Sequence, residues 1–81
     1  MNFYILVPVF NEDKTISSVV RSLVEEYTEC TIIIVDDGSS DKTKIFLEKL
    51  NYVNLLKVRL PENRGKGAAL KTGLDKILEI E

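Results

Sequence analysis

The sequence predicts an α/β domain in which a parallel sheet is covered by helices on both faces, the elements alternating strand, helix, strand, helix, strand, helix. Two short runs, Phe3-Tyr4-Ile5-Leu6-Val7 and Ile32-Ile33-Ile34-Val35, are too continuously apolar to expose either face, as in strands of a buried parallel sheet. Between and after them, apolar residues recur at helical spacing. The connections are long enough for right-handed parallel crossovers.

Phe3 to Val7 reads as the first strand, ended by Pro8, whose ring lacks the N–H that a central strand needs. Asn11-Glu12-Asp13 then offers a cap and first-turn acids for a helix from about Asp13 to Glu26. Its Ile16, Val19, Val20, Leu23, Val24 and Tyr27 fall on one stripe. Thr31 to Val35 is the second strand, with Cys30 as a small residue leading into it. Ser40 or Asp41 can cap a second helix in which Ile45, Phe46, Leu47 and Leu50 face inward, and Asn51 is a stop. In the third strand, about Asn54 to Leu60, Leu56, Val58 and Leu60 alternate with Lys57 and Arg59, the pattern of an edge strand with one wetter face. Pro61 closes it, and Asn63-Arg64-Gly65-Lys66-Gly67 forms a flexible basic loop. The third helix follows, with Leu70, Leu74, Ile77 and Leu78 on one side. Gly73 lies within it, where glycine costs about 1 kcal/mol against alanine, so a close packing contact is expected there. The result is a three-layer, Rossmann-like parallel sheet of βαβαβα order in one domain spanning residues 1–81.

Composition narrows the function. The chain is 44% apolar and 30% charged, that of an ordinary soluble globular protein, and its net charge of -2 with scattered basic residues gives no electrostatic reason to expect nucleic acid. A single cysteine has no disulfide partner, and with no histidine in the chain it is a poor nucleophile or metal ligand. No basic leader precedes the first strand and no apolar run approaches membrane-spanning length, so a cytoplasmic chain without a membrane segment is expected.

In such a sheet the loops after the three strands emerge at one edge, where ligands of parallel α/β folds bind. They are Pro8 to Glu12, Asp36 to Asp41 and Pro61 to Gly67, and each leads into a helix amino terminus that favours anions such as phosphate. Asp36 and Asp37 either bond loop N–H groups as structural caps or serve a ligand, through a cation or by accepting its N–H and O–H groups. Adjacent strand residues point to opposite sides, so the two carboxylates are expected to differ in role. Gly65-Lys66-Gly67 is either a glycine-broken turn with a solvated lysine or a place where backbone approaches a phosphate or base, with Lys66 or Arg64 as cation. Neither a dinucleotide fingerprint nor a P-loop fits, because Leu70, Gly67 and Leu60 stand where those patterns need other residues. Phe10 is either core or a stacking face for a nucleobase.

Three motifs in order, Val7-Pro8-Val9-Phe10-Asn11-Glu12, Val35-Asp36-Asp37-Gly38-Ser39-Ser40-Asp41-Lys42-Thr43 and Asn63-Arg64-Gly65-Lys66-Gly67-Ala68-Ala69-Leu70 with Gly73, resemble the start of a family-2 glycosyltransferase of the GT-A fold. The third most resembles the polyprenyl- or dolichyl-phosphate sugar synthases of that family. The resemblance implies the nucleotide-binding half of a donor site for a UDP- or GDP-sugar. By position, Pro8 and Phe10 would flank the base, Glu12 would lie near the ribose or base, Asp37 would accept the base N–H, and Lys66 would reach the base or diphosphate. Asn11, Asp36, Gly38, Arg64 and Gly65 would support the loops, Asp36 as a brace.

The resemblance covers the whole chain but only about the first third of such a catalytic domain. It implies Mg or Mn for a full-length parent, held by an Asp-x-Asp motif on or after the next strand, with the catalytic base further on; no Asp-x-Asp occurs here. With neither, no catalytic residue is assigned, no firmly bound metal is expected, and the chain alone is expected to be inactive. A parent acting on a lipid phosphate would work at the cytoplasmic face of a membrane. The resemblance also places the next strand beside the first, so the first-strand edge is expected to seek a partner, as in a homo-oligomer. A non-catalytic, weakly nucleotide-binding or self-associating module of the same fold is the alternative. A phosphoryl-receiver domain fits poorly, because the acidic pair follows the second strand and the third ends in Leu60-Pro61.

Overall fold

A computed structural model describes residues 2–81 and contains the six expected elements: β1 (Phe3–Val9), α1 (Ile16–Glu26), β2 (Cys30–Asp37), α2 (Thr43–Lys49), β3 (Leu55–Leu60) and α3 (Lys66–Ile80). The strands form one parallel sheet in the order β1-β2-β3, with Leu6 opposite Ile33 and Asp36 opposite Arg59. The central position falls to β2, which explains why its apolar run is uninterrupted: Ile32 to Val35 are wholly buried.

Side chains of β2 alternate between two cores. Ile32 and Ile34 join Val9, Ile16, Val20, Val24, Leu47 and Leu55 beneath α1 and α2. Ile33 and Val35 meet Ala69 of α3, with Leu6, Leu56, Val58 and Ile77 around them. The sheet thus has two helices on one face and one on the other. That asymmetry leaves the α3 layer narrow.

Several boundaries differ from expectation. Pro8 does not end β1; the strand continues to Val9, with Pro8 opposite Val35. The Ile32 N–H donates to the Asn54 carbonyl on the β3 side. Because successive residues of a parallel strand direct their backbone groups to alternate sides, Ile33 and Val35 face β1. The same alternation turns Ile5, Val7 and Val9 toward β2, and Tyr4, Leu6 and Pro8 toward the free edge. Pro8 therefore lacks an N–H where no neighbour requires one. Both β1 and β3 are edge strands.

The first helix begins at Ile16 rather than Asp13, after a turn in which the Glu12 carbonyl accepts from the N–H groups of Thr15 and Ile16. Asn11 is no cap and the acids lie outside the first turn; Asn11 instead adopts a left-handed conformation with φ 51°. The second strand starts one residue early and extends through Asp37, since Asp36 and Asp37 pair with Arg59 and Leu60. In α2 the buried positions are Thr43 and Leu47, and Ile45 is half exposed because the short helix presents only a narrow face. In α3 the inner positions are Ala69 and Gly73, with Leu74 and Leu78 exposed. Gly73 supplies the expected close contact: a Cβ there would stand 2.1 Å from Leu6 Cδ1. Small residues let α3 sit low on β1 and β2, and its leucines fall on the flank.

Candidate functional site

The three loops after the strands meet at one edge and are tied together largely by side chain to backbone hydrogen bonds. Between the first and second loops, the Asn11 N–H donates to Ser39 Oγ at 2.9 Å and the Glu12 N–H to Thr43 Oγ1 at 2.9 Å. In return, Asn11 Oδ1 accepts from the Ser40 N–H at 2.9 Å, and Asp41 Oδ2 accepts from the Asp13 N–H at 3.3 Å. The turn at Asn11 is what aims its carbonyl oxygen at the second loop. Thr43, wholly buried at the start of α2, anchors Glu12 from behind. The Asp41 carboxyl is held below its ordinary value: its desolvation opposes ionisation, but hydrogen bonds from the Thr43 hydroxyl, the Thr43 N–H and the Asp13 N–H prevail.

Asp36 and Asp37 turn to opposite sides, as alternation along a strand requires. Asp36 is buried; its Oδ1 accepts from the Ser39 N–H at 3.0 Å and its Oδ2 from Arg59 Nη1. Arg59 Nη2 also donates to the Ser39 carbonyl at 3.1 Å, so a single guanidinium closes the second loop onto β3. Asp37 holds the third loop. Its oxygens accept from the N–H groups of Arg64 at 2.8 Å and Gly65 at 2.9 Å, and from Asn63 Nδ2 at 3.1 Å. An ionised carboxylate offers about four acceptor positions, so about one is left for a further donor. The third loop lies directly on Gly38, whose φ is 66° and where a Cβ would stand 2.2 Å from the backbone carbon of Glu62.

Bracing of this kind leaves an open cleft of about 330 Å³ lined by Pro8, Val9, Phe10, Glu12, Asp37, Asn63, Gly65 and Lys66. All five residues singled out for nucleotide-sugar contact, Pro8, Phe10, Glu12, Asp37 and Lys66, lie on its wall. Of the supporting set, Gly65 lines the cleft, the Arg64 backbone clamps Asp37, and Asn11, Asp36 and Gly38 stand behind it. Phe10 and Lys66 are exposed. Lys66 is the first residue of α3, and Gly65 before it has φ 96° and makes no side-chain cap, so the helix start is left open beside the cleft. Sequence reasoning missed Arg59, Ser39, Thr43 and Asn63. Ser39, Thr43 and Asn63 stand within the loop motifs and Arg59 is a basic residue of the alternating strand, but their roles depend on register and loop crossing.

Residues 4–78 match the sequence profile of Glycosyl transferase family 2. The chain belongs to this family. Among its relatives it is 33% identical to the UDP-N-acetylglucosamine–dolichyl-phosphate N-acetylglucosaminyltransferase of Methanococcus voltae, over 95% of this chain and 36% of that protein. It is 32% identical to the dolichyl-phosphate beta-glucosyltransferase of Dictyostelium discoideum, over 86% of this chain and 25% of that protein. It is 38% identical to the poly-beta-1,6-N-acetyl-D-glucosamine synthase of Staphylococcus aureus, over 85% of this chain and 17% of that protein. The chain therefore spans about a third or less of the length of these family members.

A divalent ion of the kind the family resemblance implies does not fit the carboxylates present. Asp36 is neutralised by Arg59, Asp37 is engaged by three N–H donors, and Asp41 serves the first loop. Among the described residues no group of three or more potential ligands converges. Among them, too, no helix is long and apolar enough to cross a membrane.

Proposed function

We propose that the cleft is the nucleoside half of a nucleotide-sugar donor site, taking a UDP- or GDP-linked sugar. The observation that carries this reading is the convergence of Pro8, Phe10, Glu12, Asp37 and Lys66 on one cavity at the carboxyl edge of the strands. Phe10 offers a face on which a base stacks, with Pro8 as the opposite apolar wall. The remaining acceptor position of Asp37 takes an imide-like N–H of the base, and Glu12 takes a ribose hydroxyl. Lys66 and the open start of α3 meet the diphosphate. This chain's own residues bind and orient the donor; transfer to an acceptor, for which a polyprenyl phosphate is the candidate, is not assigned to any of them.

Calorimetric titration with uridine, UDP and GDP tests the reading, because Phe10 and Lys66 are exposed and can be changed without disturbing the core. Each diphosphate is expected to bind more tightly than uridine, with that advantage reduced in Lys66→Met. Phe10→Leu is expected to weaken binding of all three ligands by about 1–3 kcal/mol, the value of one base-aromatic stack. A folded chain that binds none of them at millimolar concentration, or binds them equally in both variants, would refute it.

A further inference from the structure

We propose that Asn63 sets the base specificity of the cleft: by occupying one acceptor position of Asp37 it leaves room for a base with a single ring N–H, so that uracil is taken and guanine refused. This rests on the donor-site reading above and narrows it to uracil nucleotides. Asp37 is 4% exposed, so its oxygens are served by protein rather than by solvent. Among the described residues Oδ1 has one donor, the Arg64 N–H, and Oδ2 has two, the Gly65 N–H and Asn63 Nδ2. A carboxylate oxygen offers about two acceptor positions, so Oδ2 is full and the open position lies on Oδ1. Asn63 is held where it stands. Its Nδ2 also donates to the Asp37 carbonyl at 3.3 Å, and its backbone N lies against Gly38, where a Cβ would collide with it.

The two bases ask different things of a carboxylate. Guanine presents its ring N–H and its exocyclic amino N–H side by side, a pair that a carboxylate receives with one oxygen each. With the ring N–H on Oδ1, the amino N–H points at Oδ2 and meets the N–H groups of Gly65 and Asn63 already seated there. Either that donor is stranded or a bond holding the third loop is broken, and both outcomes cost affinity. Uracil has one N–H, flanked by carbonyls, and needs one acceptor. Asn63 thus acts on specificity through Asp37, as a positioning residue that has no need to touch the base. Hypoxanthine separates this count of donors from the size of the ring, because it is guanine without the amino group, a purine with a single such N–H.

Calorimetric titration with UDP, GDP and inosine diphosphate, on the unaltered chain and on Asn63→Ala, tests the inference. In the unaltered chain UDP and inosine diphosphate are each expected to bind about tenfold more tightly than GDP, the effect of one donor left unpaired. In Asn63→Ala the vacated position on Oδ2 should accept the amino N–H and bring GDP to within about threefold of inosine diphosphate. Binding of all three ligands with GDP as tight as UDP or inosine diphosphate would overturn the inference and leave the donor-site reading standing. So would a ratio of GDP to inosine diphosphate that Asn63→Ala leaves unmoved, since a mere loosening of the third loop weakens all three ligands together. Binding of none of them by the folded chain would overturn both. Should the variant fail to fold, the comparison of inosine diphosphate with GDP on the unaltered chain decides alone.

Discussion

Replacing Arg59 by methionine keeps most of the aliphatic stem and removes the charge that Asp36 faces. Asp36 has a side chain only 2% exposed, and without Arg59 it keeps one hydrogen bond, from the Ser39 N–H. Stranding a buried carboxylate costs about 3–5 kcal/mol. Arg59 is itself one-third exposed, so water reaches the vacated side of Asp36 and screens part of that penalty, leaving about 2–3 kcal/mol. For a chain of 81 residues the whole stability is about 4–12 kcal/mol, so the loss is a large fraction of it. With a urea slope near 1 kcal/mol/M, the unfolding midpoint should fall by about 2–3 M. Asp36→Asn in the Arg59→Met background should recover part of this, because a neutral amide no longer needs a cation while its oxygen still accepts the Ser39 N–H. Urea unfolding of the two single variants and the double variant provides the cycle. An Arg59→Met stability within about 0.5 kcal/mol of the parent, the range of an ordinary surface change, would refute the idea that this guanidinium closes the second loop.

Gly38→Ala should destabilise by more than about 2 kcal/mol, since the new Cβ meets the Glu62 and Asn63 backbone and the left-handed φ adds strain; an unchanged urea midpoint would show that the third loop is free to lift away. Acid should loosen the first loop. The Asp41 carboxyl is held below its ordinary 3.8, so its contribution is complete above that value and is lost as pH falls through the lower, folded value. The Asp13 amide, which donates to Asp41, is expected to shift across that same acid window by more in the parent than in Asp41→Asn.

The order of elements and the identity of the buried central strand were legible from residue pattern, because Ile32 to Val35 leave no side for solvent and the helical stripes leave little choice of period. The ends of the elements were not. Pro8 reads as a terminator because a sequence does not reveal to which side a strand residue turns its backbone; that depends on which neighbour it has. Leu74 and Leu78 share a helical stripe with Leu70 and Ile77, whereas the close approach of α3 to the sheet, with Gly73 against Leu6, selects the small residues Ala69 and Gly73 for the inner face. At the site, the cleft-lining residues were visible as motifs in three loops. Their supports were not, since Arg59 and Thr43 reach Asp36 and Glu12 only through strand register and loop crossing.

The polar residues at this edge divide into two groups by what their atoms already do. Asp36, Asp37 and Asp41 spend more than half of their acceptor capacity on backbone N–H groups, the Asn63 amide and one arginine. Glu12, Phe10 and Lys66 reach the cleft from loops those aspartates hold still, and keep side-chain chemistry free for a ligand. Loops fixed before a ligand arrives need no ordering when it does, which is worth about 0.5–1.5 kcal/mol for each side chain already immobilised. On the proposed reading, Asp36 and Asp41 therefore act on affinity through geometry, Asp37 through both geometry and contact, and the exposed residues through contact. Changes at Asp36 or Asp41 should accordingly lower stability and binding together, whereas changes at Phe10 or Lys66 should lower binding alone.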